Sequence, residues 1–264
     1  MALPLLSTRP LARIVARSPH YPVLDFLAPR TIPHALHQKS RIHTVSPLEA
    51  QHAVLPQDTK LDTNTPPNPP TKAPPPLTPS QRDFLDSALR VNQAGELAAV
   101  LIYTAQTPPL IRSYPHLRPL MQHMHDQEVG HFRLFNTLLA KHRVRPTLMY
   151  PVWHAAATAL GWGTAIMGRE AAMACTEAVE TEIGGHYNEQ VQVLLEWAGR
   201  LQERGELGEE LQGLIGELRR IRDEELEHLD HAVQNDSKEA KPYELLTNVI
   251  RGGCRTAIWI SEKV

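Results

Sequence analysis

Cysteine is almost missing: Cys175 and Cys254 are the only two in 264 residues. Two thiols cannot build a disulfide framework or a thiolate metal cluster, and they suit a reducing compartment such as the mitochondrial matrix. No convincing period-two alternation occurs after residue 78, so strands are not expected there. Long apolar runs are also missing. The segment "VWHAAATALGWGTAIM" at 152–167 is 16 residues long, short of the roughly 20 that a membrane-spanning helix needs. Within it and just beyond, "GWGTAIMG" has neither the spacing nor the strand-to-helix context of a nucleotide-binding glycine loop, and close helix packing explains its glycines better. A basic excess is confined to the start of the chain. Residues 1–48 hold six Lys/Arg and one acid, Asp25, which leaves 21 basic against 28 acidic residues for the rest. An acidic body lacks the electropositive face of a nucleic-acid binder.

What is present divides the chain into three parts. The leader spaces Arg9, Arg13 and Arg17 four apart, with Leu5, Leu6, Leu11 and Ile14 interleaved. Arg-rich, acid-poor and potentially amphipathic is the composition of a mitochondrial transit peptide, assigned here to 1–48. Residues 49–77 form a Pro-rich disordered spacer: "TPPNPPTKAPPPLTP" at 65–79 contains eight prolines, an extended composition unfit for a core. A folded domain is expected at 78–264, with Thr78 or Ser80 capping its first helix. Helical periodicity falls at roughly 80–106, 115–142, 152–167, 169–200, 206–236 and 241–261, with a break expected at "TPP" (107–109). The fold class is therefore all-α: a four-helix bundle with two additional apolar or amphipathic helices.

The motif Glu-x-x-His occurs three times, as Glu49–His52, Glu128–His131 and Glu225–His228. The first lies beside Pro47, ahead of the folded domain and with no helix around it, and reads as coincidence. Direction separates the other two from chance. On a helical wheel Leu117, Met121, Met124, Phe135 and Leu139 fall within about 40° of Glu128, and His131 lies inside the same stripe. Leu211, Leu214, Leu218, Ile221, Leu229 and Ala232 mark a buried face that also contains Glu225 and His228. Glu224 sits near its edge and Glu227 points away. Leu85, Leu89, Ala99 and Tyr103 align with Glu96, while Met173, Tyr187, Val191 and Ala198 align with Glu180. Glu177 lies about 60° to one side of Glu180 and Glu182 on the far face. Asp126 and Asp223, each two residues before an inner Glu, point outward and hint at an internal duplication.

An unpaired buried carboxylate costs several kcal/mol. Four such carboxylates and two imidazoles on four helices match the ligand set of a carboxylate-bridged dinuclear metal site: Glu96, Glu180 and the pairs Glu128–His131 and Glu225–His228. Oxygen with some imidazole nitrogen favours iron or manganese over zinc. The competing reading is a set of buried Glu–His or Glu–Arg salt bridges.

Seven blocks in order carry a resemblance to a known family: "RVNQAGE" (90–96), "DQEVGHFRLFN" (126–136), "RVRPT" (143–147), "GREAAMACTEAVE" (168–180), "HYNEQ" (186–190), "RDEELEHLDHA" (222–232) and "GCRTAIWISEKV" (253–264). In these the chain resembles the demethoxyubiquinone hydroxylases of mitochondrial ubiquinone biosynthesis, a branch of the ferritin-like di-iron proteins. It departs from the family pattern at Asn92, where Asp is usual. The resemblance implies the same six ligands and two iron ions per chain. It also implies a monooxygenase that hydroxylates a polyprenylated demethoxy-benzoquinol with O₂ and two electrons, the penultimate step toward ubiquinone. NADH is the implied electron donor, and His186 with Tyr187 a relay of electrons or protons. A bilayer-resident substrate implies a peripheral location on the matrix side of the inner membrane, with 152–167 lying at the surface and Trp153, Trp162 and Trp259 as anchors. The implied partners are a lipid-binding accessory protein and other enzymes of a ubiquinone-biosynthesis complex. The same apolar helices equally fit packing on the bundle or on a second copy of the chain. Two other readings stay open: a ferritin-like iron-binding or oxygen-scavenging protein, and a non-catalytic scaffold of that complex.

Overall fold

The structure, a computed structural model, describes residues 72–264. The transit-like leader and most of the spacer, including Glu49 and His52, lie outside the described residues. Six helices follow: α1 (Pro79–Ser113), α2 (Arg118–His142), α3 (Tyr150–Met167), α4 (Arg169–Glu203), α5 (Glu209–Gln234) and α6 (Tyr243–Ser261). No strand occurs among the described residues, as the missing alternation required.

The start of α1 is set locally. Thr78 accepts from the Gln81 backbone N–H at 3.3 Å, the Gln81 side chain accepts from the Thr78 N–H at 2.9 Å, and Pro79 occupies the first turn. This reciprocal box satisfies two donors that a helix otherwise leaves unpaired. The end of the Pro-rich stretch is extended and mostly exposed. Even so, the Lys72 N–H reaches the Gly205 carbonyl at 3.1 Å, and Pro74 lies so close to Gly208 that a Cβ there would meet its ring at 2.6 Å.

The expected break at 107–109 does not occur. α1 runs through Pro108 and Pro109 to Ser113, although each proline removes a backbone donor. Tertiary anchors on both sides hold the helix together. Buried Gln106 donates to the Thr164 hydroxyl at 3.1 Å and the Ala172 carbonyl at 3.4 Å, and Leu110 is buried with Leu117 and Met121.

Two apolar layers close the bundle along its length. One gathers Leu89, Phe135, Leu139, Tyr187, Val191, Leu194, Leu218 and Ile221. The other gathers Tyr103, Leu110, Met121, Met124, Met173 and Ala232. The first layer takes the early part of α1 and α5 and the late part of α2 and α4; the second takes the reverse. Hence α1 and α5 run one way and α2 and α4 the other. Because α2 and α4 share a direction, the chain must return along the bundle between them, and α3 makes that crossover. α3 packs on α1 so closely that a Cβ on Gly161 would lie 2.5 Å from the Ile102 carbonyl oxygen. That glycine serves helix packing, as its context implied. α6 lies against α4 and α1. Between these helices sits a third apolar cluster with Ile102, Ala157, Cys175, Val179 and Ile250.

Candidate metal centre

Between the two layers, all six side chains selected by helical direction meet. Glu96 comes from α1, Glu128 and His131 from α2, Glu180 from α4, and Glu225 and His228 from α5. Each is at most 2% exposed. They form two overlapping groups whose donor atoms lie within 4.8 Å of one another: Glu96, Glu128, His131 and Glu225, and Glu128, Glu180, Glu225 and His228. Glu128 and Glu225 belong to both. His131 Nδ1 stands 3.1 Å from Glu225 Oε1 and 3.4 Å from Glu96 Oε2; His228 Nδ1 stands 3.1 Å from Glu128 Oε1 and 3.2 Å from Glu225 Oε2. The arrangement is thus two terminal glutamates, two shared glutamates and one imidazole per half.

Packing sets this pattern one turn at a time. Each helix carries buried apolar residues about two turns before and after its glutamate, so the glutamate must face inward with them. A second repeat becomes visible in three dimensions: Glu96 and Tyr103 on α1 have the same seven-residue spacing as Glu180 and Tyr187 on α4. The pairing crosses between helices. Tyr187 donates to Glu96, and Tyr103 donates to Glu180 at 3.2 Å. The imidazoles are held the same way. His131 Nε2 contacts Glu224 Oε2 of α5 at 2.5 Å, and Glu224 is itself gripped by Arg220 at 2.7 Å. His228 Nε2 contacts Gln127 of α2 at 2.9 Å. Each imidazole therefore turns Nδ1 inward and anchors Nε2 on the residue preceding the shared glutamate of the other helix.

A rule based on single helices misses Gln127, Glu224 and the tyrosine hydroxyls as partners, because a wheel describes a face and not what faces it. The seven-residue Glu–Tyr spacing was the available signal. Asp126 and Asp223 point outward with exposed carboxylates, beside Gln122 and Arg222. Glu182 also leaves the centre and pairs with Arg251 at 2.6 Å and Arg255 at 2.8 Å. His186 joins neither group; its Nε2 has no hydrogen-bond partner, and burial lowers its pKa to about 4. Asn92 forms a reciprocal amide pair with Gln190 at 2.8 and 2.9 Å.

The donor set fits two divalent cations. Glu96 Oε2, both oxygens of Glu128 and Glu225, and Nδ1 of His131 and His228 are buried without a hydrogen-bond partner. Native interiors rarely leave such atoms unpaired, and a cluster of them aimed at one volume is explained by an ion. Electrostatics agree. Without ions, burial and then the neighbouring Glu225 and Glu128 push Glu180 well above the carboxylate range, and burial takes Glu96 up to about 8. Burial acts against ionised Glu128 too, but His131 and His228 outweigh it and bring it to about 2. Burial disfavours charge on His228, yet Glu128 and Glu225 raise it to about 11; His131 moves up for the same reason. Four carboxylates sharing a dry site must gain protons or cations. Two divalent ions would balance their charge.

The description "Ubiquinone biosynthesis protein COQ7" belongs to the family profile that matches residues 83–261. The chain is 48% identical over 190 residues to the mitochondrial 5-demethoxyubiquinone hydroxylase of Saccharomyces cerevisiae, covering 71% of this chain and 82% of the relative. It is 44% identical over 183 residues to the human mitochondrial NADPH-dependent 3-demethoxyubiquinone 3-hydroxylase, covering 69% and 79%. The 3-demethoxyubiquinol 3-hydroxylase of Rhodospirillum rubrum is 40% identical over 189 residues, covering 72% and 82%.

Proposed function

Because the chain belongs to the COQ7 family of ubiquinone biosynthesis proteins, we propose that its buried Glu/His centre holds two iron ions and hydroxylates a polyprenylated demethoxy-benzoquinol. It is a ubiquinone-biosynthesis hydroxylase, an enzyme of the monooxygenase class. The observation that carries the iron reading is the pair of four-residue groups sharing Glu128 and Glu225, with unpaired buried donor atoms turned toward a common volume.

When bound, two iron ions would supply the electrons and the site for activating O₂. The protein does the rest. Glu96 and Glu180, each steadied by a tyrosine hydroxyl, would hold the ions together with Glu128 and Glu225, which belong to both groups, and with His131 and His228 through Nδ1. Tyr187 keeps a proton at Glu96, since burial raises its pKa well above the ordinary range. It is the better placed of the two expected relay residues, and His186 would act through another group. The reductant belongs to the nicotinamide class. Several relatives, the human one included, carry NADPH in their names, where the sequence led to an expectation of NADH.

Access supports a membrane-resident substrate. Among the described residues, no helix is long and apolar enough to cross a membrane. Leu148, Val152, Trp162, Ile166 and Met167 in or near α3, and Leu245, Val249 and Trp259 in α6, are exposed. The apolar cluster of Ile102, Ala157, Cys175, Val179 and Ile250 joins α3 and α6, which carry these surfaces, to α1 and α4, which carry Glu96 and Glu180. A peripheral enzyme on the matrix face of the mitochondrial inner membrane would take its quinol ring through this region while the isoprenoid tail stays in lipid. The same exposed faces would receive a lipid-binding accessory protein and other enzymes of the pathway.

The full chain should hold about two irons and, with reductant and a demethoxyquinol, should place oxygen from labelled O₂ in the product. Glu180→Ala should lose iron and Glu182→Ala should keep it. Iron bound without product under those conditions favours the iron-handling reading; equal iron loss in both variants refutes the ligand assignment.

A further inference from the structure

A second group of metal-ligating side chains lies outside the buried centre. His123 of α2 and Glu227 and His231 of α5 place one donor atom each within 4.8 Å of one another. Glu227 and His231 are one helical turn apart, with Oε1 and Nε2 separated by 3.6 Å. The His123 ring crosses from α2 and meets the His231 ring edge to face, with centroids 6.4 Å apart and planes at 79°. His123 and Glu227 are exposed and His231 is partly so. No hydrogen bond from another described side chain ties down either imidazole, so the donors are free to converge.

We propose that this trio is a surface site for a borderline divalent transition ion, with zinc as its representative. Two imidazoles and one carboxylate on one side leave the remaining positions to water. Nitrogen donors select zinc, cobalt, nickel or copper over magnesium and calcium, which prefer oxygen. The site is separate from the buried centre. Glu227 precedes His228 but points to solvent on the wheel that turns His228 inward. An ion there ties α2 to α5, the two helices that supply Glu-x-x-His to the interior. The unfolded chain does not hold the three donors together, so the ion stabilises the folded form. Nothing in this site depends on the hydroxylase reading.

Equilibrium dialysis of the full chain, loaded with iron and then exposed to zinc, tests the assignment through metal analysis and melting temperature. The expected result is about one added zinc per chain with iron content unchanged, and a higher melting temperature. His123→Ala and His231→Ala, both at the surface, should each weaken zinc binding at least ~10-fold and abolish the shift in melting. Circular dichroism should show unchanged helix content in both. Magnesium should give no shift in any variant. Equal zinc uptake by parent and variants, or zinc uptake only as iron leaves, overturns the proposal.

Discussion

Glu177 and Glu180 lie one turn apart on α4, both buried, and their surroundings could hardly differ more. Glu177 is closed by the protein itself. Ser237 donates to it at 2.5 Å, Tyr243 at 2.7 Å, and Lys238 forms an ion pair with it. It braces the turn between α5 and α6 against α4. Glu180 has one protein donor, Tyr103, and otherwise faces Glu128, Glu225 and His228. The first carboxylate is a structural support, the second an arrangement that stays strained until cations arrive. Burial alone does not distinguish them; the supply of donors does.

The largest expected effect breaks the comparison at the shared ligands. Glu128→Ala or Glu225→Ala should remove both irons and hydroxylation, exceeding the ~10–100-fold loss typical of a supporting residue, as read by metal analysis and product formation. The metal-free fold should survive, since the two apolar layers on either side of the centre stay intact. Glu177→Ala should do the reverse: iron retained, but stability to denaturant lowered by about 1–3 kcal/mol through lost charge-assisted hydrogen bonds. If Glu177→Ala also empties the centre, the division between brace and centre fails.

Opposite pH dependence is the smaller and sharper test. Glu177 has a pKa below its usual value: burial opposes ionisation, but Lys238, Ser237 and Tyr243 outweigh it. Its contribution is present above the unfolded value of about 4.5 and lost as pH falls. In the metal-free chain Glu96 lies at about 8 because of burial, so its contribution is full below about 4.5 and lost as pH rises through about 8. His228, at about 11, loses its share further up. Melting of the metal-free chain should therefore fall between pH 5.5 and 8.5. Glu96→Gln should flatten that fall, and Glu177→Gln should flatten only the acid side. An unchanged alkaline slope in Glu96→Gln would contradict the assignment.

Much of this was legible beforehand, and the misses have a common cause. Periodicity located six helices and turned Glu96, Glu128, His131, Glu180, Glu225 and His228 inward, because a residue's direction on a helix follows from its spacing to the apolar stripe. The same method ended α1 near residue 106, before the "TPP" at 107–109, since it weighs a missing N–H and cannot see Gln106 bonded to Thr164 and Ala172. It placed Glu177 about 60° to one side of Glu180 and assigned it no partner for the same reason: Ser237, Lys238 and Tyr243 are about sixty residues away in the chain. The tyrosines were visible as buried aromatics, but not the exchange by which each serves the other half's glutamate.

By itself the sequence determined the helices, their inward faces and, through its motif blocks, the family. These depend on local spacing, which a one-dimensional pattern records completely. Only the tertiary structure decided which glutamates are shared, which nitrogen of each imidazole faces inward, and that Glu177 is a brace. Those are contacts between helices. They follow from the relative direction of α1, α2, α4 and α5, set by two apolar layers that no single helix contains.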